Sequence, residues 1–446
     1  MMNNDRENKM SVFYRKERRI NSNNIPADVF FILKKLKESG FLSFLVGGCI
    51  RDLILQRPVR DWDFVTDAHT EQIKMVFSEY KTLLIGKGFQ TVTIILNHQA
   101  FQISSIEKSN YQKLSANHNY SSQILKDNLM SRDFTINAIS WNPDTGLVDP
   151  ANGLRDLRNK IIRSINPDSR FKEDPLRMLR AIRIACELSF VISLELKKSI
   201  VKNAFLIQFV SSERIREEIT FILASSDAKQ AILLLCKFGL ERYIFSLDRV
   251  KKIQFHKKEK NKLNLSGLDN LKQDLASQLA LLGRMYYGSC ETARMFYFPV
   301  IKSLRFKKKI SETVKILLSR EWPKVDFDSD VKIRFLLAQF GEENTKRMMF
   351  LKKACLLEEN NYYRIKQLKI EERLLKEELK KKHPVKLSDL AINGNDLLEM
   401  GLPEGEKIGD ILSIVLEKTL INPNINNKDY LMKFVQSMIR QSSGKI

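Results

Sequence analysis

Two aspartates one residue apart, Asp61 and Asp63, are the part of the sequence best suited to chemistry. The segment Trp62–Val65 predicts a β-strand, on which residues i and i+2 face the same side. Two neighbouring carboxylates repel each other unless a cation lies between them, and Mg²⁺ prefers hard oxygen ligands while keeping positions for phosphate oxygens. The alternative is two exposed acids in a turn, which is the commoner origin of an isolated Asp-x-Asp.

A glycine pair followed by an arginine precedes these acids. Gly47 and Gly48 end an apolar run, and Arg51 follows within a predicted short helix. Glycines let the backbone approach a phosphate closely, the helix N-terminus offers free N–H groups, and Arg51 can add a charge-assisted contact to a triphosphate. An ordinary turn before a helix gives the same pattern, so the signal gains its value from its closeness to Asp61.

A third element mixes charged, amide and hydroxyl groups with apolar residues that are expected to be buried. It runs from Arg132 to Ala138 and follows a long polar segment. Arg132 is a candidate ligand-binding residue. The simpler interpretation is a capped helix start, with Asp133 or Thr135 near the N-cap, and the two interpretations are compatible.

A fourth element combines an acid with three arginines on a predicted helix. Pro175 suits the first helical turn, with Asp174 as the N-cap, and Arg177, Arg180 and Arg183 recur every three residues. An acid beside an arginine offers both acceptors and donors, which could read the edge of a nucleobase. A surface helix with basic residues is the alternative.

Hydrophobic periodicity places these elements in a small mixed region followed by helices. Predicted elements are helices over 27–39, 51–55 and 69–80, an apolar run over 41–46, and a hairpin of 91–96 with 100–105 around Asn97-His98. Residues 107–128 are polar and predict a long loop. From about residue 155 onward the pattern is helical, with strong stretches at 174–188, 213–224, 228–238 and 360–382.

Charge and cysteine content restrict the class of protein. The 446 residues include 75 Lys and Arg against 53 Asp and Glu, a net charge of +22, which indicates an anionic partner such as nucleic acid or a lysine-rich bias of composition. The five cysteines form no CxxC pair, so we expect neither disulfides nor a zinc cluster. Apolar runs are too short for a membrane span, and we expect a cytoplasmic protein without a membrane partner.

Taken in order, the four elements resemble the tRNA nucleotidyltransferase and bacterial poly(A) polymerase family of the DNA polymerase beta superfamily. The resemblance covers about residues 44–195, through LVGGCIRDLILQRPVRDWDF, SRDFTINAISWNPDTGLVDPANGLRDLRNKIIR and FKEDPLRMLRAIRIA. It implies an α+β fold, in which a small mixed-sheet catalytic head precedes a mostly helical neck, body and tail. It also implies that Asp61 and Asp63 are catalytic and bind Mg²⁺. The nucleotide-binding residues that it implies are Gly48, Arg51, Arg132, Asp174, Arg177, Arg180 and Arg183, with Asp174 and Arg177 pairing with the incoming base.

The activity that the resemblance implies is addition of CCA to the 3′ end of tRNA from CTP and ATP. A poly(A) polymerase, a partial CC-adding or A-adding enzyme and a catalytically silent RNA-binding protein stay open as alternatives. Three departures from the family pattern bear on this choice. Ser131 replaces a second arginine, Gln102 replaces an acid on a neighbouring strand, and the polar segment lacks an Arg-Arg-Pro.

The predicted organisation has five parts, and the sequence leaves the oligomeric state open. They are a basic arm (1–25), the catalytic head (26–155), a helical neck with the base-selecting helix (156–225), a helical body (226–385) and a tRNA-binding tail (386–446). The stretch 387–412 resembles the tail of compact helical CCA-adding enzymes, whereas 225–385 carries no recognised motif.

Overall fold

The computed structural model describes residues 14–15, 20–85, 91–106, 118–245, 265, 267–268, 271, 274–287, 290–319, 330–358 and 362–443. Its contacts divide the chain into two compact units. The first contains Met1–Arg214 and Leu234–Ile244, and the second contains Ile215–Leu233 and Phe245–Ile446. None of the helices in the described ranges combines the length and apolarity that crossing a membrane requires. The finer division into five parts stays a prediction.

A mixed sheet forms the centre of the first unit. Its strands are β1 (Tyr14–Arg15), β2 (Ser43–Val46), β3 (Asp63–Thr66), β4 (Lys81–Ile85), β5 (Thr91–Leu96), β6 (Gln99–Ser105), β7 (Ser140–Asn142) and β8 (Gly146–Val148). Their spatial order is β1-β8-β7-β2-β3-β6-β5-β4. β3 and β6 are parallel, and the other neighbours are antiparallel. A second sheet contains β9 (Ile161–Ile162) and β10 (Val191–Ile192).

The hairpin and the strand that starts at Asp63 follow the predictions closely. β5 and β6 pair around Asn97 and His98, whose φ angles of 47° and 65° are those of a tight hairpin turn. β3 starts at Asp63 and pairs with β2, so that Leu45 faces Phe64. β3 is an interior strand of the sheet, because it lies between β2 and β6. Its neighbour β2 is buried along its whole length.

Helices of this part of the chain flank the sheet and follow it. They are α1 (Ala27–Glu38), α2 (Gly48–Ile54), α3 (Thr70–Val76), α4 (His118–Met130), α5 (Gly153–Arg158), α6 (Pro167–Glu173), α7 (Arg177–Leu188), α8 (Leu194–Asn203), α9 (Ser212–Ala224), α10 (Ala228–Phe238) and α11 (Glu241–Ile244). In α1 the buried residues recur at the helical spacing predicted from the sequence, at Val29, Ile32, Leu33 and Leu36.

The predicted loop over 107–128 is wrong in its second half, because α4 starts at His118. Leu125 and Leu129, one helical turn apart, are buried against Phe44 and Val65 of the sheet. Two leucines in a polar sequence are too few to indicate a helix by their spacing. The helix is stabilised instead by the packing of these leucines against the sheet. Residues 107–117 lie outside the described residues. Within the predicted N-terminal arm, β1 pairs with β8.

The second unit is helical. After parts of α9 and α10 it contains α12 (Leu275–Tyr287), α13 (Cys290–Thr292), a π-helix (Ala293–Tyr297), α14 (Phe298–Ser303), α15 (Lys308–Leu317), α16 (Asp330–Glu358), α17 (Tyr362–Lys381), α18 (Gly394–Glu399), α19 (Glu406–Ile421) and α20 (Lys428–Ser443). α16 is broken at Gly341, where φ is 74°. A separate apolar cluster joins Leu397, Val415 and Leu431 of the last three helices. The predicted α+β class, with a mixed-sheet head before a helical remainder, is confirmed.

Candidate active site

The turn that starts the site depends on Gly47. This residue has φ 81° and ψ −133°, a conformation that L side chains rarely adopt, and it precedes α2. A Cβ atom at Gly47 would lie 2.7 Å from Nη1 of Arg132, whereas a Cβ at Gly48 would make only an ordinary contact with Arg51 at 3.6 Å. The first glycine is therefore required by the backbone and by the close approach of Arg132. A side chain at the second glycine would meet no such clash.

The acidic pair lies at the start of β3, where Asp63 is the first residue of the strand and Asp61 precedes it. Trp62 is buried, whereas Asp61 is exposed and Asp63 is half-buried, as the alternation of side chains along a strand requires. Burial raises the pKa of Asp63 above its usual range. Arg132 opposes this rise by its positive charge, and the negative charge of Asp61 adds to it. The negative charges of the two acids therefore act on each other, and their role as metal ligands stays a prediction.

Arg132 provides the principal positive charge beside Asp63. Its burial lowers the pKa of the guanidinium, and the charges of Asp63 and Asp133 oppose that shift. Its Nε is buried and has no hydrogen-bond partner among the described residues. An arginine with donors to spare, next to a pair of carboxylates, is suited to an anionic ligand that approaches those carboxylates.

A hydrogen-bond network links Arg51 to the arginine helix α7. Arg51 holds Asp52 through Nε and Nη2, both at 2.9 Å, and donates from Nη1 to Oδ1 of Asn137 at 2.9 Å. The amide of Asn137 donates to Oδ1 of Asp133 at 3.1 Å. Oδ2 of Asp133 forms an ion pair with Arg180 at 2.7 Å. Arg51 and Arg180 are thus held by one chain of buried polar groups.

The segment that carries Arg132 and Asn137 is held by α5. The hydroxyl of Thr135 donates to Oδ2 of the buried Asp156 at 2.7 Å, and the N–H of Thr135 donates to the carbonyl of Arg163 at 2.9 Å. A Cβ at Gly153 would overlap the carbonyl of Thr135, so only glycine allows α5 to approach so closely. The predicted helix start near Asp133 is a short 3₁₀ helix, Thr135–Asn137.

The acid that was predicted to select the base lies between α6 and α7. Oδ1 of Asp174 accepts the N–H of Leu176 at 3.2 Å, and its Oδ2 forms an ion pair with Arg214 at 2.8 Å. Asp174 therefore orders the turn before α7, although the helix starts two residues later than it would with Asp174 as the N-cap. Arg177 pairs with Glu173 at 3.2 Å, so Asp174 and Arg177 each have another ionic partner.

The structure thus brings one set of predicted residues together and connects Arg51 to Arg180 through Asn137 and Asp133. Asp61, Asp63, Arg132 and Arg180 interact through their charges. Arg180 is one helical turn from both Arg177 and Arg183, and Arg183 pairs with Glu187 at 3.3 Å. Five residues with direct roles in this arrangement were not selected from the sequence: Asp52, Asp133, Asn137, Asp156 and Arg214. The polar residues within the apolar stretch 132–138 were the only signal that could have indicated Asp133 and Asn137.

The residues present fit a magnesium ion held by two carboxylates. The acidic pair offers only oxygen ligands. A bound cation would offset the repulsion between the two carboxylates and the energetic cost of burying the charge of Asp63. The neighbouring strand places Gln102 opposite Asp63, so a third carboxylate is replaced by an amide at that position. Within the described ranges, no group of three or more His, Cys, Asp or Glu side chains is gathered. Mg²⁺ commonly uses one or two carboxylates together with water and substrate phosphates.

Comparison with known proteins gives a consistent result along the chain. Three family models match: the poly(A) polymerase head domain at residues 43–163, the RNA- and SrmB-binding site of polymerase A at 189–247, and tRNA nucleotidyltransferase domain 2 at 300–435. The chain belongs to the tRNA nucleotidyltransferase and poly(A) polymerase family. The three matches follow one another along the chain in the order head domain, RNA-binding site and tRNA nucleotidyltransferase domain 2.

Individual relatives differ in how much of their length is matched. A CCA-adding enzyme of Lactobacillus delbrueckii subsp. bulgaricus is 37% identical over 203 residues, which are 45% of this chain and 51% of that protein. A CCA-adding enzyme of Geobacillus sp. is 28% identical over 410 residues, which are 89% of this chain and 93% of that protein. The chain therefore matches about half the length of the first of these relatives.

One solved structure shows the same fold over nearly the whole chain. It is the Bacillus stearothermophilus CCA-adding enzyme in complex with CTP, with a TM-score of 0.73 and 24% identity. The alignment covers 94% of this chain and 98% of that one. This likeness shows the fold.

Proposed function

We propose that this protein is a template-independent RNA nucleotidyltransferase that adds CCA to the 3′ end of tRNA, using CTP and ATP and releasing pyrophosphate. The observation that carries the proposal is the surroundings of Asp63, which lies close to Asp61, Arg132 and Arg180. A metal-binding acid pair beside arginines suits attack of a hydroxyl on a nucleoside triphosphate. The full-length relative of Geobacillus sp., itself called a CCA-adding enzyme, supports the choice of reaction.

Asp61 and Asp63 are the residues that would hold Mg²⁺. When bound, the ion would lower the pKa of the tRNA 3′-hydroxyl and neutralise charge on the departing pyrophosphate. Beside it, Gly48 leaves room for the triphosphate, and Arg51 and Arg132 offer donors to its oxygens. Since phosphoryl transfer needs little covalent help from the protein, the main contribution of these side chains is to position and neutralise the triphosphate.

Base selection is assigned to the start of α7. Asp174 would accept a hydrogen bond from the amino group of C or A, and Arg177 would donate one to the neighbouring ring nitrogen. Arg177 would give up its contact with Glu173 to do so. Arg180 and Arg183 complete the nucleotide site on the following turns. Arg177 precedes Arg180 by about one helical turn, which rises about 5.4 Å, and the charge of Arg180 acts on Asp63. A single nucleotide is therefore expected to span from the acids to the base-reading pair.

The remaining positive charge is assigned to tRNA. With a net charge of +22, the protein is expected to neutralise backbone phosphates and to recognise tRNA by shape rather than by sequence. A poly(A) polymerase would share the catalytic residues. The match of residues 300–435 to a tRNA nucleotidyltransferase domain supports the tRNA enzyme over that alternative.

The proposal is tested with a tRNA transcript that lacks CCA. The purified protein receives this RNA with CTP alone, with ATP alone and with both nucleotides, and the products are resolved at single-nucleotide length. We expect two additions with CTP alone and three with both nucleotides. Addition that stops at CC with both nucleotides would restrict the activity to CC. A long A tail would establish a poly(A) polymerase, and retained RNA binding without incorporation would reject the enzymatic proposal.

A further inference from the structure

Arg214 holds the carboxylate that is proposed to read the base. It lies in the first turn of α9, and its Nη2 is 2.8 Å from Oδ2 of Asp174. The other oxygen of Asp174 accepts the N–H of Leu176 at 3.2 Å. Both oxygens of the carboxylate are therefore anchored, and its plane is fixed. The Asp174 side chain is 24% exposed, which leaves it accessible to a ligand.

A purely structural role does not account well for this ion pair. The side chain of Arg214 is 51% exposed, and an ion pair at such a surface contributes little to stability. Arg177 does not orient Asp174 in its place, because Arg177 pairs with Glu173. Arg214 is thus the charged partner that determines where the Asp174 carboxylate points.

The direction of that carboxylate matters because it can only accept hydrogen bonds. Cytosine and adenine present an exocyclic amino group, which donates, whereas uracil and guanine present a carbonyl oxygen at the corresponding position. A fixed carboxylate therefore favours the first two bases and repels the second two. A carboxylate that can rotate away loses part of both effects.

We propose that Arg214 is a positioning residue for base selection, which acts by holding Asp174 against rotation. This inference rests on the proposed function, since it assumes that Asp174 faces the incoming base. It adds a residue from α9 to a selection that the sequence assigned to α7 alone. Losing Arg214 is expected to weaken discrimination between amino and carbonyl bases, while the acid pair and the triphosphate contacts stay in place.

The test compares Arg214→Gln, Arg214→Lys and the control Arg216→Gln in the full-length protein. Arg216 lies on the same helix, loses the same charge, and donates to the carbonyl of Arg305 rather than to Asp174. Equilibrium dissociation constants for CTP, UTP, ATP and GTP are measured in the presence of Mg²⁺. KM and kcat for CTP and ATP are measured with tRNA lacking CCA. Ratios between nucleotides cancel any general effect on folding or on RNA binding.

For Arg214→Gln we expect the CTP:UTP and ATP:GTP binding ratios to fall about tenfold, the scale of one hydrogen bond to a charged group. KM for CTP should rise while kcat at saturation changes little. Arg214→Lys should recover part of the ratio, and Arg216→Gln should keep that of the wild type. Wild-type ratios in Arg214→Gln, or an equal loss in Arg216→Gln, would overturn the inference. Absence of incorporation by the wild type would overturn the proposed reaction, whereas the binding ratios decide the role of Arg214 separately.

Discussion

Replacing Gly47 with alanine places a methyl group against the guanidinium that neutralises Asp63. The new Cβ would lie 2.7 Å from Nη1 of Arg132, closer than Cβ atoms are found to other atoms. Arg132 must therefore move. The alanine that replaces Gly47 must in addition adopt the φ of 81° that the turn requires. The perturbation acts on the site without removing any functional side chain.

The magnitude follows from two contributions. An L-residue at the φ of 81° and ψ of −133° of Gly47 costs about 1–3 kcal/mol, and a weakened contact to a half-buried carboxylate costs about 1–3 kcal/mol. Gly40→Ala is the control for a positive φ, because Gly40 has φ 84° and a Cβ there would meet no atom within 4 Å. Gly40→Ala should show only a backbone cost, and Gly47→Ala should lose about 2–6 kcal/mol in total.

The assay follows denaturant unfolding by tryptophan fluorescence, since Trp62 and Trp141 are both buried in the first unit. A nucleotide titration accompanies it. We expect Gly47→Ala to raise the KM for CTP about tenfold, because a group that should contact the triphosphate is displaced. Gly40→Ala should leave KM unchanged. Equal destabilisation of the two variants together with an unchanged KM for Gly47→Ala would refute the placement of Arg132 against this turn.

Two further predictions concern buried groups. Arg334→Met should destabilise the second unit by about 1–3 kcal/mol, because the buried Glu378 and the carbonyl of Leu420 lose their arginine partner while His383 and Lys381 still contact Glu378. Denaturant unfolding should show this loss of stability. A smaller loss in the double variant Arg334→Met/Glu378→Met would confirm that Glu378, left without Arg334, is the cause. A loss of less than about 1 kcal/mol in the single variant would contradict the prediction. Cys49, whose burial raises its thiol pKa to about 12, should resist iodoacetamide in the native protein at pH 8. Peptide mapping should then find the partly exposed Cys236 alkylated before Cys49, and equal rates would argue against the burial of Cys49 next to β3.

The parts of the site that the sequence predicts are those determined locally. Alternation along one strand places Asp61 and Asp63 on one side, and helical spacing places Arg177, Arg180 and Arg183 on neighbouring turns. These patterns need no knowledge of the rest of the fold. They also carry the family resemblance, because the chemistry fixes both the residue types and their order.

The parts that the sequence does not predict depend on contacts between distant segments. β7 and β8 have three residues each and exist because they pair with β2 and with each other, so neither shows a measurable periodicity. The chain from Arg51 through Asn137 and Asp133 links residues 86 positions apart. Arg214 meets Asp174 across 40 positions. Such pairings depend on tertiary packing, which single-sequence patterns do not encode.

The most direct measurement compares Asp63→Asn with the wild type in single-turnover incorporation of CMP into a tRNA that lacks CCA. The exchange keeps the shape of the side chain and removes the charge that would hold Mg²⁺. We predict that incorporation falls at least about a hundredfold, from the several kcal/mol that a bound metal contributes, while tRNA affinity in a filter-binding assay stays within about twofold of the wild type, because Asp63 carries no phosphate-neutralising charge. Near-normal incorporation by Asp63→Asn would contradict the central claim that Asp63, at the start of β3, and the preceding Asp61 hold the metal that drives nucleotide addition.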